Sequence, residues 1–130
     1  YIFRGALDVR ASTINDAMKI AAAKALAALA REDVPDSVRD AYGGEEIRFG
    51  PDYLIPKPLD HRVLLYVAPA VAKSAAESGV AARPLADIEA YRQSLARFLS
   101  RTRMMMGEIA NKAARAPRRV VFPEGGEPRT

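Results

Sequence analysis

Tyr1-Ile-Phe-Arg-Gly-Ala-Leu-Asp-Val-Arg10, then Ala-Ser-Thr-Ile-Asn-Asp-Ala-Met-Lys and an alanine-rich run to Ala30, is the stretch that decides the fold. Tyr1 to Leu7 reads as a short, mostly apolar strand interrupted by Arg4 and Gly5. Ser12 and Thr13 follow as candidate helix N-caps, since a hydroxyl can accept from the free amides of a first turn. Asp16 places a carboxylate at the positive end of the helix they would open. Between Ala17 and Ala30 eight of fourteen residues are alanine, the best helix former. Ile14, Met18, Ala22, Leu26 and Leu29 recur at helical spacing. Their face is narrow and flat, suited to lying against a sheet or another helix.

Outside this stretch, composition narrows the function. With 130 residues the chain has room for one domain, and 49% apolar content excludes a disordered composition. Much of that content is alanine, which buries little area, so the core is thin for the length. No apolar run approaches the ~20 residues a membrane span needs. Without cysteine there are no disulfides or thiolate metal sites. The default location is cytoplasmic. Charge is uneven within the net +4: residues 97–119 hold seven basic groups against Glu108 alone. Such a patch could meet nucleic acid or an anionic ligand, but a solvated helix face is the plainer reading.

Along the chain, Pro35 can open a helix from Asp36 to Tyr42, stopped by Gly43-Gly44. Glu45 to Pro58 holds three prolines and reads as a fixed loop, pinned by Phe49, Tyr53, Leu54 and Ile55. Lys57, between two prolines, reads as a surface lysine on a stiff turn. Asp60 caps a helix from His61 through Ser78, with Val63, Leu64, Val67, Val71 and Ala75 on its apolar face. Pro69 should kink or split that helix, and Gly79 closes it. His61, the one histidine, reads as a solvated side chain. A third helix runs from about Ala86 to Arg103, with Ile88, Tyr91, Leu95, Phe98 and Leu99 as its stripe. Met104-Met105-Met106-Gly107 should interrupt it, and Glu108 to Arg115 adds a further turn or two. Arg118 to Glu127 reads as a strand running into a turn.

These residues also carry a resemblance. Ile2-Phe-Arg-Gly-Ala-Leu-Asp-Val9 with the following Ala11, Ile14, Asn15, Met18 and Lys19 resembles bacterial malic enzymes. The same family is matched by Phe49-Gly-Pro-Asp-Tyr-Leu-Ile-Pro-Lys-Pro58, and by Val67-Ala-Pro-Ala-Val-Ala-Lys73 through Ser78-Gly-Val-Ala81. Three matches in order are far more specific than one. Arg118 to Glu127 is similar to the opening strand of phosphate acetyltransferases, which follow the malic-enzyme domains in hybrid bacterial enzymes.

The resemblance implies a mainly α fold: the helical C-terminal part of a Rossmann-type α/β domain, with a short strand at each end. Residues 1–116 would complete the NAD(P)-binding domain, and 117–130 would be linker and first strand of the acetyltransferase-like domain. Both ends of the chain read as cuts. The implied parent oxidises and decarboxylates malate with NADP or NAD and Mg²⁺ or Mn²⁺. In the family the lysine base, tyrosine acid, metal carboxylates and glycine-rich turn lie upstream of the matched segment, and an asparagine pair precedes the Ile-Phe-Arg-Gly run. No catalytic, metal or cofactor residue is therefore assigned. Arg4 and Asp8 lie nearest the expected active site, with structural roles.

The implied partners are the rest of the malic enzyme chain and further copies in a homo-oligomer, with no nucleic acid and no membrane. Read without the family, Glu32-Asp33 and Glu45-Glu46 lack a histidine or lysine constellation. Ser12, Ser37 and Ser74 lack a nucleophile-elbow context. Two rival readings follow: a stand-alone helical interaction module with alanine and methionine faces, and a nucleic-acid-binding piece using residues 97–119. The isolated chain is expected neither to oxidise malate nor to bind nicotinamide cofactor.

Overall fold

In the computed structural model residues 1–44 and 46–115 are described, without the side chains of Arg103, Gly107 and Glu108. The helices are α1 (Ile2–Asp8), α2 (Asp16–Ala30), α3 (Asp36–Arg39), α4 (Arg62–Glu77) and α5 (Ile88–Arg115), with a 3-10 turn at Asp40–Tyr42. The described residues divide into two units, Tyr1–Arg97 and the part of α5 from Phe98 onward. The expected C-terminal strand and the 116/117 domain boundary lie outside the described residues.

The expected N-terminal strand is a helix. Arg4 and Asp8, four apart, meet as an ion pair at 2.6 Å, a contact that helical spacing allows and alternation does not. Gly5 and Ala6 turn inward, where α1 crosses α4 so closely that the glycine is needed. A Cβ on Gly5 would lie 2.5 Å from the Ala68 carbonyl oxygen and 2.9 Å from Val71 Cβ. What looked like a strand interrupter is a packing notch.

At α2 the cap is Asn15, whose side chain accepts from Met18 N–H at 3.0 Å, not Ser12 or Thr13. Ser12 is used elsewhere: its amide donates to the Val80 carbonyl oxygen at 3.0 Å. There residues 9–12 run antiparallel to 80–83, through the Ala11–Ala81 bridge and bonds from Ala82 and Arg83 amides to Arg10 and Val9 carbonyls. Asn15 Nδ2 also donates to Ser78 Oγ at 2.9 Å, tying the start of α2 to the end of α4.

Central to the first unit is α4, which packs on both α1 and α2. Val67, Val71, Ala72 and Ala75 meet Ala6, Val9, Met18 and Ala22 in one buried cluster. Small residues let three helices approach closely, and fully buried Met18 and Leu29 contribute about 2 kcal/mol each. Pro69 does not split α4, which runs unbroken from Arg62 to Glu77. Pro69 is itself buried, and burial on either side holds the helix together. Gly79, at φ 72°, closes it as expected.

A second cluster, Ala30, Val34, Val38, Ile47 and Tyr53, anchors the α3 region. Pro35 is the N-cap of α3 rather than its first residue, and Gly43 ends the following turn at φ 84°. Of the residues expected to pin the loop only Tyr53 is buried; Phe49, Leu54 and Ile55 are exposed. The methionines do not interrupt α5, which is one helix of 28 residues. Methionine is a good helix former, and Gly107 alone is too weak a breaker to stop a run this long. Asp87 starts it, accepting from the amides of Glu89 and Ala90 at 2.8 and 3.0 Å.

Candidate functional site

Several places in the first unit gather polar chemistry or open space, the first of them around Asp8. Asp8 Oδ2 accepts from Arg4 Nε at 2.6 Å and from Tyr91 OH at 2.5 Å. The residues come from α1 and the start of α5, 83 positions apart in the case of Tyr91. The Asp8 hydrogen bond holds the Arg4 guanidinium above its ordinary range. Burial, and then the bond to Asp8, push the Tyr91 phenol up. An oxygen engaged by two donors is a tether, and this one fastens α5 to α1. Arg4 and Asp8, expected to be structural, are both engaged in this tether.

Next to the α3 region, Asp60 is fully buried. It accepts from the Arg62 amide at 2.9 Å and from Arg62 Nη2 at 2.7 Å. Arg62 Nη1 reaches on to the Asp33 carbonyl oxygen at 2.7 Å. Asp60 thus caps the start of α4 and fixes the guanidinium that ties α4 to the Asp33 turn, while His61 is the N-cap position itself. Asp60 raises the Arg62 pKa through that bond. Tyr53 lies nearby with its hydroxyl buried and without a hydrogen-bond partner among the described residues. Its pKa is raised by burial first and by the Asp60 charge second.

Between α2 and α4 runs an open groove of about 620 Å³, with Ala17, Ile20, Ala21 and Ala70 as walls and Lys24 and Lys73 beside them. Lys73 is drawn 3.7 Å from Glu77. The groove offers apolar contact and positive charge, with no acid and base placed to move a proton.

The remaining residues singled out in the sequence are dispersed. Lys57 lies over the Tyr42 ring at 4.6 Å, and Tyr42 OH accepts from the Leu59 amide at 2.7 Å. Glu46 pairs with Arg48 at 2.6 Å. Ser74 is buried, its carbonyl accepting from the Ser78 hydroxyl at 2.7 Å. Among the described residues no three of His, Cys, Asp and Glu cluster so as to hold a metal. The sequence also has no Gly-Xaa-Gly-Xaa-Xaa-Gly turn for a dinucleotide. No chemical step is derived through a metal or a nicotinamide cofactor. Both polar clusters were missed in the sequence. The four-residue spacing of Arg4 and Asp8 signals the first once α1 is read as a helix; the Tyr91 link has no local signal.

The arrangement of three close helices recurs in a solved structure. The chain superposes over 85% of its length on the crystal structure of malic enzyme from Pyrococcus horikoshii Ot3, with a TM-score of 0.63 and 36% identity. In sequence it is 51% identical over 129 residues to the NADP-dependent malic enzyme of Escherichia coli K12, 99% of this chain. It is 53% identical over 130 residues to the NAD-dependent malic enzyme of Rhizobium meliloti. The chain's homologues are thus bacterial malic enzymes of both cofactor types. It spans 17% of the length of these two relatives and 22% of the crystallised chain. No family model matches it. No helix among the described residues is long and apolar enough to cross a membrane.

Proposed function

We propose that the chain is a segment of a bacterial malic enzyme that oxidatively decarboxylates malate to pyruvate and CO₂ with NADP or NAD. In it, these helices pack against and support the dinucleotide-binding domain. One observation carries the reading: identity at about half the positions, sustained over 99% of the chain, to enzymes of that name. The catalytic groups, the nicotinamide site and the carboxylates for Mg²⁺ or Mn²⁺ belong on this reading to the rest of the enzyme. Relatives dependent on NADP and on NAD match almost equally well, so coenzyme choice is read elsewhere.

The proposal includes the hybrid layout, with a phosphate-acetyltransferase-like domain after residue 116. In its support, 129 residues make 17% of the Escherichia coli enzyme, which is therefore about 760 residues long, room for several domains. A cytoplasmic homo-oligomer is the form we assign to the parent.

Exchange of segments tests the assignment. The matching 129 residues of the Escherichia coli enzyme are replaced by those of this chain, and malate-dependent NADP reduction is measured. Retained turnover is the expected result. A folded chimera that binds NADP but does not turn over malate would overturn it.

A further inference from the structure

The apolar stripe of α5 outlasts its burial. Tyr91, Leu95, Phe98, Met105 and Ile109 recur at spacings that place them on one face of the helix. Within the first unit the stripe is covered: Tyr91 is half-buried and Leu95 is 1% exposed. Farther along the same face Met105 is 65% and Ile109 56% exposed, with Met106 beside them at 58%. Every described side chain from Ser100 to Arg115 is exposed.

One flank of this stripe is basic. Arg97, Arg101, Lys112 and Arg115 fall on it by helical spacing, and none of them makes an ion pair among the described residues. Elsewhere the cations are mostly paired: Arg4, Lys19, Arg39, Arg48, Arg62, Lys73 and Arg92 all have carboxylate partners. Basic charge with no carboxylate partner among the described residues, next to an uncovered apolar stripe, calls for an occupant bringing both apolar area and carboxylates.

We propose that the half of α5 from Phe98 to Arg115 is a docking surface for an acidic amphipathic helix. The spacing of the stripe is that of the covered Tyr91 and Leu95, so a partner helix would meet it by the same kind of packing. Methionine, unbranched and polarizable, moulds to a partner helix better than a branched side chain does. A second α5 laid antiparallel is the wrong occupant, because two copies would then bring the same basic flank together and repel.

The test uses the full 130-residue chain and two labelled peptides of about 18 residues, long enough to match the exposed half of the helix. Both carry the same leucine and alanine face, one flanked by glutamates and the other by lysines. Fluorescence anisotropy should show the acidic peptide binding at least about tenfold more tightly, with affinity falling as salt rises. Met105→Gln with Ile109→Gln keeps good helix formers while removing apolar contact, and should weaken binding about tenfold at unchanged helicity by circular dichroism. Arg101→Gln with Lys112→Gln should flatten the salt dependence. Equal binding of the two peptides, or no binding, overturns the proposal. So does preference for phosphatidylserine vesicles, or sedimentation showing self-association that depends on Met105 and Ile109.

Discussion

Gly5 shows what one residue can decide. An added methyl would press on the Ala68 carbonyl and on Val71, both part of α4 and unable to swing away. Gly5→Ala should cost about 1–3 kcal/mol through overpacking, although alanine is the better helix former. A lowered thermal midpoint with unchanged far-ultraviolet signal is the expected outcome. Tyr91 bears on pH. An unfolded tyrosine loses its proton near pH 10, whereas burial and Asp8 keep the native phenol protonated beyond that. Its contribution is therefore complete below about pH 10 and is lost as pH rises through the native value. Tyr91→Phe should cost about 1–2 kcal/mol at neutral pH by removing the bond to Asp8. The gap between wild type and variant should begin to narrow above pH 10, as read from urea midpoints across pH 7 to about 10.5.

Among the elements, legibility followed periodicity. The inward face of α2, the Asp36 turn and the Gly79 stop were all readable, because 3.6-residue spacing and glycine carry them. The Tyr1–Leu7 run was misread because seven residues hold too few repeats to separate a helix from a strand, and tertiary packing on α4 settles the matter. The methionine triplet was read as a break from local chemistry, and helix propensity prevailed; of the kink or split expected at Pro69, the split does not occur. The start of α4 depends on a long-range fact that no pattern shows, the reach of Arg62 to the Asp33 carbonyl. Arg62→Met leaves the Asp60 carboxylate buried without its cation and should cost about 3–5 kcal/mol. Asp60→Asn with Arg62→Met should cost distinctly less, since no charge is then stranded. Equal losses in the two variants, measured by urea unfolding, would show that the charge pair itself matters little.

The molecule as a whole carries two grades of stability. In the first unit, α4 is buried along its length by α1 and α2. From Ser100 onward α5 is exposed on every described side chain, so it gains nothing from burial and depends on propensity alone. The charge shift at residue 97 was read in the sequence as a solvated helix face; that the apolar stripe there is exposed as well could not be read, because a stripe of the same composition is buried at Leu95. An isolated helix of this length is marginal in water. Native-state hydrogen exchange should therefore find the amides from Ala68 to Ala75 protected up to the global unfolding free energy, and those from Thr102 to Arg115 opening locally at far lower cost. Added denaturant should speed exchange in the first group steeply and leave the second nearly unchanged, because local opening exposes little new surface. If both groups instead merged into one denaturant dependence, α5 would be folding as a single cooperative piece with the bundle. Its exposed half would then have to be stabilised by something other than its own propensity.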